Sequence, residues 1–216
     1  MVTVRALSDD DIAAAVGLHL EVLDMEFLSR FGPAFMRTYY RAWIHTPGSV
    51  ALVARDEGEV VGVLLGATDP GAHVRAMVRH HGARIGARLV SHAIVHPRLA
   101  KDLIVTRGWR YTRGVARLVT ARLSRSPVTP LAGDQPVVGE LTHVLVSPSF
   151  QGRGVGRALV EGFVDAAREV GVGELMLVTP PDLAARHFYE RLGWRCEGDM
   201  RSRSGEEFLR FRYHLR

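Results

Sequence analysis

The feature that most constrains the fold is the junction of an aliphatic segment and a glycine-rich turn at residues 140–157. Glu140–Val146 is rich in aliphatic and β-branched residues and predicts a buried strand, which Pro148 ends. The turn Gln151-Gly-Arg-Gly-Val-Gly156 follows, and a helix is predicted to begin near Arg157. Glycines let backbone amides approach a ligand closely, and a helix N-terminus attracts anions. The junction therefore predicts a phosphate-binding turn.

Two common phosphate-binding loops do not fit these residues. The dinucleotide fingerprint requires G-x-G-x-x-G, whereas the glycines here are spaced G-x-G-x-G at Gly152, Gly154 and Gly156. The nucleoside triphosphate loop requires Gly-Lys-Ser/Thr, but the chain has a single lysine, Lys101, far from the turn. An ordinary glycine-rich connection remains the alternative if the glycines are considered alone.

A second motif supports a particular family. The turn, as Q-x-x-G-x-G after Val-Ser-Pro, resembles the acetyl-CoA-binding motif of the GNAT superfamily of N-acetyltransferases. The segment Ala185-Arg-His-Phe-Tyr-Glu-Arg-Leu-Gly-Trp194 is similar to the A-x-x-F-Y-E-x-x-G-F sequence that closes the core of that superfamily. Trp194 replaces the usual phenylalanine. The resemblance covers about residues 1–70 and 138–216, and the two motifs lie one helix and one strand apart.

The resemblance implies an α/β fold with a central mixed, mostly antiparallel sheet flanked by helices. We expect one GNAT domain over residues 1–216, with an inserted basic helical segment at residues 71–137 between the third and fourth strands. Periodicity and turn residues predict further strands at Val2–Ala6, Ser49–Arg55, Glu59–Ala67, Glu174–Thr179, Trp194–Gly198 and Glu206–Leu215, and helices after Ser8, over Phe31–Trp43 and around Phe188.

The insertion carries the positive charge of the chain. Residues 71–137 contain 12 Arg and Lys against 2 Asp, a formal charge of +10, so the remaining residues carry −5 of the net +5. Apolar residues predict helices over Val74–His92, from Leu99 and around Tyr111–Leu123, with a proline-containing loop at Ser126–Pro136. A solvated basic face, a dock for an acidic acyl-carrier protein or an anionic nucleotide-sugar, and a homodimer contact all stay open. Nucleic acid is not expected, because no binding motif is present.

The resemblance also assigns roles to individual residues. Glu140 is the candidate base that deprotonates the acceptor amine, directly or through a water, and Tyr189 is the candidate acid that protonates the leaving thiolate. Amides near Leu145 and Val146 would stabilise the negative charge on the thioester oxygen. The acetyl-CoA-binding residues carried over are Val144, Leu145, Val146, Gln151, Gly152, Arg153, Gly154, Val155, Gly156, Arg157, Asp182, Phe188 and Tyr189.

His143 and Asp182 complicate the assignment of the base and of the cofactor contacts. Alternation along the strand puts Thr142, Val144 and Val146 on the Glu140 face and His143 on the other. A bulge would reverse that parity, so His143 is kept as a reserve base. Asp182 stands where the family commonly has an asparagine that bonds the pantetheine arm, and an ionised aspartate accepts hydrogen bonds but cannot donate them.

The resulting functional hypothesis is transfer of an acetyl group from acetyl-CoA to a primary amine of a small molecule, such as an amino sugar, by direct attack. The alternatives are a longer acyl-CoA or acyl-carrier-protein donor, or a non-catalytic module that binds CoA or a polyanion. Aromatic residues of the early helices could line the acceptor side, although core packing explains each one: Phe27, Phe31, Tyr39, Tyr40 and Trp43.

Location and metal content are also predicted. No secretory signal or membrane-spanning apolar run is visible, and the single cysteine, Cys196, rules out an internal disulfide, so a cytoplasmic protein is expected. No metal site is expected, because the adjacent residues His80 and His81 point to different helix faces.

Overall fold

The computed structural model describes residues 1–23, 28–95, 137–201, 205 and 207–215. The chain divides into two compact units, one comprising Met1–Gly86 with Pro136–Arg216 and the other Ala87–Gln135. Of the second unit, only residues 87–95 belong to the described ranges, and they are helical. The predicted helices from Leu99 and around Tyr111–Leu123, and the loop Ser126–Pro136, lie outside the described residues.

A seven-stranded sheet has the order β1-β2-β3-β4-β5-β7-β6. All neighbouring strands are antiparallel except β4 and β5, which are parallel. The predicted mixed, mostly antiparallel sheet is therefore confirmed. The strands are β1 Thr3–Ala6, β2 Ser49–Asp56, β3 Glu59–Ala67, β4 Val138–Val146, β5 Glu174–Thr179, β6 Arg195–Arg201 and β7 Glu207–His214.

Five α-helices lie in the described ranges: α1 Ile12–Val22, α2 Gly32–Ile44, α3 Pro70–Val95, α4 Val155–Glu169 and α5 Leu183–Arg191. α3 follows β3, as the predicted helical insertion requires, and its sequence contains no acidic residue. α4 begins two residues before the predicted start near Arg157, because Gly154 with φ +83° forms its N-cap in the left-handed region. Among the described residues, no helix is long and apolar enough to cross a membrane.

α4 packs unusually close to β3 because two glycines face it. A Cβ atom on Gly66 would lie 2.5 Å from the ring of Phe163, and one on Gly62 would lie 2.9 Å from Val155. The side chains of Val155 and Phe163 are buried in the main core cluster. The glycines of β3 therefore allow α4 to pack close against the sheet, with its N-terminus at the end of β4.

α1 and α2 contribute to the core, and α1 packs on β3 and β4. Packing explains most of the aromatic residues, since the side chains of Phe31, Tyr40 and Trp43 are all buried. Tyr39 is half-buried, with its ring 5.5 Å from that of Trp43. Phe27 lies outside the described residues.

A buried carboxylate joins the first turn of the chain to the sheet edge. Asp11 accepts two hydrogen bonds from Arg5, at 2.7 and 2.8 Å, and also pairs with Arg55 on β2. The backbone N–H and the hydroxyl of Ser8 also donate to Asp11. Burial opposes ionisation of this carboxyl, but the bonds from Arg5 and Ser8 outweigh it, so the pKa of Asp11 lies well below its usual 3.8.

Candidate acyl-transfer site

The parallel strands β4 and β5 separate partway along their length. Their pairing runs from Val138 opposite Glu174 to Leu141 opposite Leu177, and there the ladder ends. Both strands continue, β4 to Val146 and β5 beyond Leu177. The carboxyl end of β4 is therefore paired with β3 on one side and borders a gap on the side of β5.

The amide of Val146 faces this gap. The N–H of Ser147 donates to the carbonyl of Val61 on β3 at 2.9 Å, and Leu145 lies two residues before Ser147 in the same antiparallel ladder. Residues in such a ladder alternate between pairs that are bonded to the partner strand and pairs that are not. Leu145 therefore bonds β3, while the backbone groups of Val144 and Val146 point into the gap.

The glycine-rich turn presents amides next to the same gap. Gly152 and Gly154 both adopt positive φ, and the first α-type bond of α4 runs from the N–H of Ala158 to the carbonyl of Gly154 at 3.0 Å. The amides of Val155, Gly156 and Arg157 come before that bond, so the helix does not use them, and helix dipoles favour anions at this end. These unused amides at a helix N-terminus are suited to an anionic group such as a phosphate.

Polar side chains hold the turn in place. The Nε2 of Gln151 donates to the carbonyl of Val146 at 3.4 Å, which links the turn to the end of β4. The guanidinium of Arg153 lies 5.1 Å from the centre of the Phe150 ring. The position of the Gln151 side chain thus depends on the backbone that borders the gap.

α5 closes the far side of the turn. A Cβ atom on Gly156 would lie 3.3 Å from Phe188 and 3.5 Å from Val146, so these three residues meet beside the gap. The carboxylate of Asp182 accepts a hydrogen bond from the N–H of Ala184 at 3.0 Å and caps α5. Aspartate is therefore suited to capping at this position, although it cannot donate to a ligand when ionised.

Tyr189 lies on the face of the sheet that α4 covers. Its ring contacts those of Phe211 and Trp194, at centroid distances of 5.5 and 5.9 Å, and its side chain is 8% exposed. Phe211 belongs to the same buried cluster as the core residues of α4. Burial raises the pKa of Tyr189 to about 12, which keeps the phenol protonated at neutral pH.

A bulge in β4 reverses the expected alternation of its side chains. In the register with β3, Leu65 is opposite His143 and Gly66 is opposite Leu141, so Thr142 is an extra residue. Leu141 is buried with α4, which puts Glu140 on the other face, and His143 packs 5.1 Å from the ring of His19 on α1. The expected alternation put Val144 and Val146 on the face of Glu140 and His143 on the opposite face. This expectation is wrong, because one inserted residue moves the side chains that follow Thr142 to the other face.

Glu140 and His143 thus form one ionisable pair on the α1 face. Glu140 is half-buried, and burial raises the pKa of its carboxyl above the usual 4.5, against a smaller opposing effect of the His143 charge. The residues paired with Glu140, Ala67 on β3 and Met176 on β5, carry no charge. A carboxylate whose pKa is raised in this way is a stronger proton acceptor than an exposed one, as a general base requires.

Sequence reasoning missed one member of this group. The side chain of His19 is fully buried, and its Nδ1 lies 2.9 Å from the hydroxyl oxygen of Tyr40. A histidine among the apolar positions of α1 was the available signal, since a buried polar side chain requires a partner. In the described part of the chain, no group of three or more His, Cys, Asp or Glu side chains could hold a metal ion.

The glycine-rich turn between β4 and α4, within a mixed and mostly antiparallel sheet, is the arrangement that the resemblance to the GNAT superfamily predicts. Residues 119–194 match the family described as acetyltransferase (GNAT) family. The chain is 41% identical over 68 residues to a mycothiol acetyltransferase of Rhodococcus opacus (strain B4), which is 31% of this chain and 22% of that protein. A mycothiol acetyltransferase of Rhodococcus erythropolis is 43% identical over 63 residues, 29% and 21% of the two chains. The chain thus spans about a fifth of the curated relatives that it matches.

Solved structures share the fold over nearly the whole chain. An N-acetyltransferase from Staphylococcus aureus Mu50 superposes with a TM-score of 0.61 at 10% identity, covering 100% of this chain and 99% of the other. A Salmonella typhimurium structure with its cofactor acetyl-CoA gives 0.58 at 17% identity, covering 100% and 94%. These matches show that the chain has the fold of solved acetyltransferases and that residues 119–194 match the GNAT family.

Proposed function

We propose that this chain transfers an acetyl group from acetyl-CoA to a primary amine of a small molecule, such as an amino sugar, by direct attack. The observation that carries the proposal is the gap between β4 and β5, which lies between a phosphate-binding turn with Tyr189 on one face and Glu140 on the other. A thioester reaching through the gap would meet the acceptor on the α1 face and release its thiolate on the α4 face.

The binding residues fit the cofactor portion of that donor. The turn amides from Gly152 to Arg157 would hold the pyrophosphate, with Gln151 and Arg153 beside them, and Asp182 and Phe188 would flank the pantetheine arm. The amide of Val146 would donate to the thioester oxygen, where negative charge develops. The partial match to mycothiol acetyltransferases supports acetyl transfer. The acceptor in the name of those proteins is a property of those proteins and is not assigned to this chain.

Each proton has a designated group in this proposal. Glu140 would take a proton from the attacking amine as the carbon–nitrogen bond forms, and the proton of Tyr189 would go to sulfur as the carbon–sulfur bond breaks. A pKa of about 12 keeps Tyr189 in the acid form that this role requires. The proposal places the reaction in the cytoplasm, in keeping with the free thiol of Cys196.

The test is release of free CoA thiol from acetyl-CoA in the presence of a panel of primary amines, with each product identified by mass. Thiol release that depends on one class of amine would support the proposal. Acetyl-CoA binding without release by any amine would contradict it and leave a CoA-binding module. A higher rate with medium-chain acyl-CoA than with acetyl-CoA would replace the acetyl donor by a longer one.

A further inference from the structure

The α1 face of β4 carries two ionisable side chains, Glu140 and His143, whereas a general base requires only one. The bulge at Thr142 puts Glu140 and His143 on one face, where alternation would have separated them. Bulges are typically used to re-aim side chains next to active sites. The His143 side chain is only 7% exposed, and the described neighbours paired with Glu140 are uncharged.

A second pair of polar side chains fixes the ring of His143 from the helical side. The His19 ring lies 5.1 Å from that of His143 at an interplanar angle of 52°. The hydroxyl of Tyr40 on α2 lies 2.9 Å from Nδ1 of His19, and both of these side chains are fully buried. A buried imidazole that is hydrogen-bonded to a buried phenol has little freedom to rotate. The ring of His143 therefore packs against a side chain of fixed orientation, that of His19.

We propose that His143 shares the acceptor's proton with Glu140, and that His19 and Tyr40 are positioning residues that hold the His143 ring. This inference rests on the proposed function. The amine gives one proton to the Glu140 carboxylate, and a bridging water relays a proton from Glu140 to an imidazole nitrogen of His143, so that Glu140 is again a carboxylate. In this relay the O–H bond of Glu140 breaks and its electron pair stays on the carboxylate oxygen, while the water accepts that proton, gives up one of its own, and a lone pair of the imidazole nitrogen forms the new N–H bond.

The charge of His143 affects the ionisation of Glu140. Among the described residues, the groups near His143 include Glu140 from β4, the uncharged Leu65 from β3, His19 from α1 and, behind it, Tyr40 from α2. A positive charge on His143 favours the ionised carboxylate of Glu140. Removing the imidazole of His143 should therefore shift the acidic limb of the rate profile, which Glu140 provides, to higher pH.

The kinetic test compares His143→Gln and Tyr40→Phe with the unchanged chain. We expect His143→Gln to lower kcat about tenfold with an unchanged KM for acetyl-CoA, and to move the acidic limb of the kcat/KM profile to higher pH. Tyr40→Phe keeps the ring and should lower kcat about threefold, in the same direction. The control is Tyr213→Phe, a change outside this group that should leave the profile unaltered.

A spectroscopic test is independent of turnover and of the donor. Carbon-13 labelling of glutamate allows the carboxyl of Glu140, assigned by its loss in Glu140→Gln, to be titrated in the protein alone. We expect the pKa of Glu140 to rise in His143→Gln, because the nearby positive charge is removed. An unchanged Glu140 titration together with an unchanged kinetic profile in His143→Gln would overturn the inference.

The two proposals fail in different ways. Loss of activity in Glu140→Gln with full activity and an unaltered profile in His143→Gln would overturn the shared proton but leave the proposed function standing. Activity retained in Glu140→Gln and lost in His143→Gln would make His143 the sole base, which also overturns the shared role. Absence of amine-dependent thiol release from the unchanged chain would overturn the proposed function itself.

Discussion

Glu140 and Tyr189 lie on opposite faces of the sheet, on either side of the gap at which β4 and β5 separate. In the proposed reaction, Glu140 would accept a proton on the α1 face and Tyr189 would donate one on the α4 face. A direct transfer needs both, because a proton must leave the amine and another must reach the departing thiolate.

Removing the phenol of Tyr189 should slow the chemical step and spare binding. We expect Tyr189→Phe to lower kcat about 100-fold with little change in KM for acetyl-CoA, since one general acid contributes about 10²- to 10⁴-fold. The change keeps the ring that packs on Phe211. Tyr213→Phe is the matched control, because the ring of Tyr213 also packs against that of Trp194, at a centroid distance of 5.4 Å. Equal kcat values for the two variants would remove Tyr189 from the mechanism.

Neutralising Glu140 should change how the rate depends on pH. A base acts only when deprotonated, so kcat/KM should fall as pH falls through the pKa of Glu140, which burial raises above 4.5. Glu140→Gln should lower kcat about 100-fold at pH 7 and abolish this limb. Glu59→Gln is the control, because Glu59 is an exposed glutamate at the start of β3. A profile of Glu140→Gln that keeps the limb would assign it to another group.

The parts of the fold and site that rest on local patterns were predictable. The two motifs placed the turn and Tyr189, and the predicted start of α4 fell within two residues of Val155. The bulge at Thr142 was not predictable, because Glu140–Val146 reads as an unbroken strand and the extra residue appears only in the register with β3. The partnership of His19 with Tyr40 joins residues 21 positions apart and depends on how α1 and α2 pack.

Substituting the left-handed glycine of the turn should weaken binding of CoA. Gly154 has φ +83°, so Gly154→Ala imposes strain of about 1 kcal/mol and shifts the amides at the start of α4. We expect about tenfold weaker CoA binding by calorimetry. Gly171→Ala is the matched control, since Gly171 follows the other end of α4 with φ +76°. Gly171→Ala should lose similar stability with an unchanged Kd for CoA, and a Kd that rises equally in both variants would argue against the turn as the binding site.

The buried carboxylate of Asp11 should contribute to stability at neutral pH. Because its folded pKa is depressed, its contribution is present above the unfolded value of about 3.8 and is lost as pH falls below that value. Asp11→Asn should cost about 3 kcal/mol at pH 7, as Arg5 and Arg55 lose their counterion. The measurement is urea unfolding at pH 7 and pH 3, where the difference between the variant and the unchanged chain should shrink. Asp10→Asn, at an exposed position, should change the free energy of unfolding by less than about 0.5 kcal/mol.

The central claim is that the thioester of acetyl-CoA lies in the gap, with its carbonyl oxygen on the amide of Val146. The most direct measurement is the infrared carbonyl band of acetyl-CoA labelled with carbon-13 at the carbonyl, bound to the protein and free in solution. A hydrogen bond to that oxygen should move the bound band to lower frequency, and Val146→Pro, which removes the donor, should return it toward the free value. A bound band at the free frequency in the unchanged chain would contradict the account.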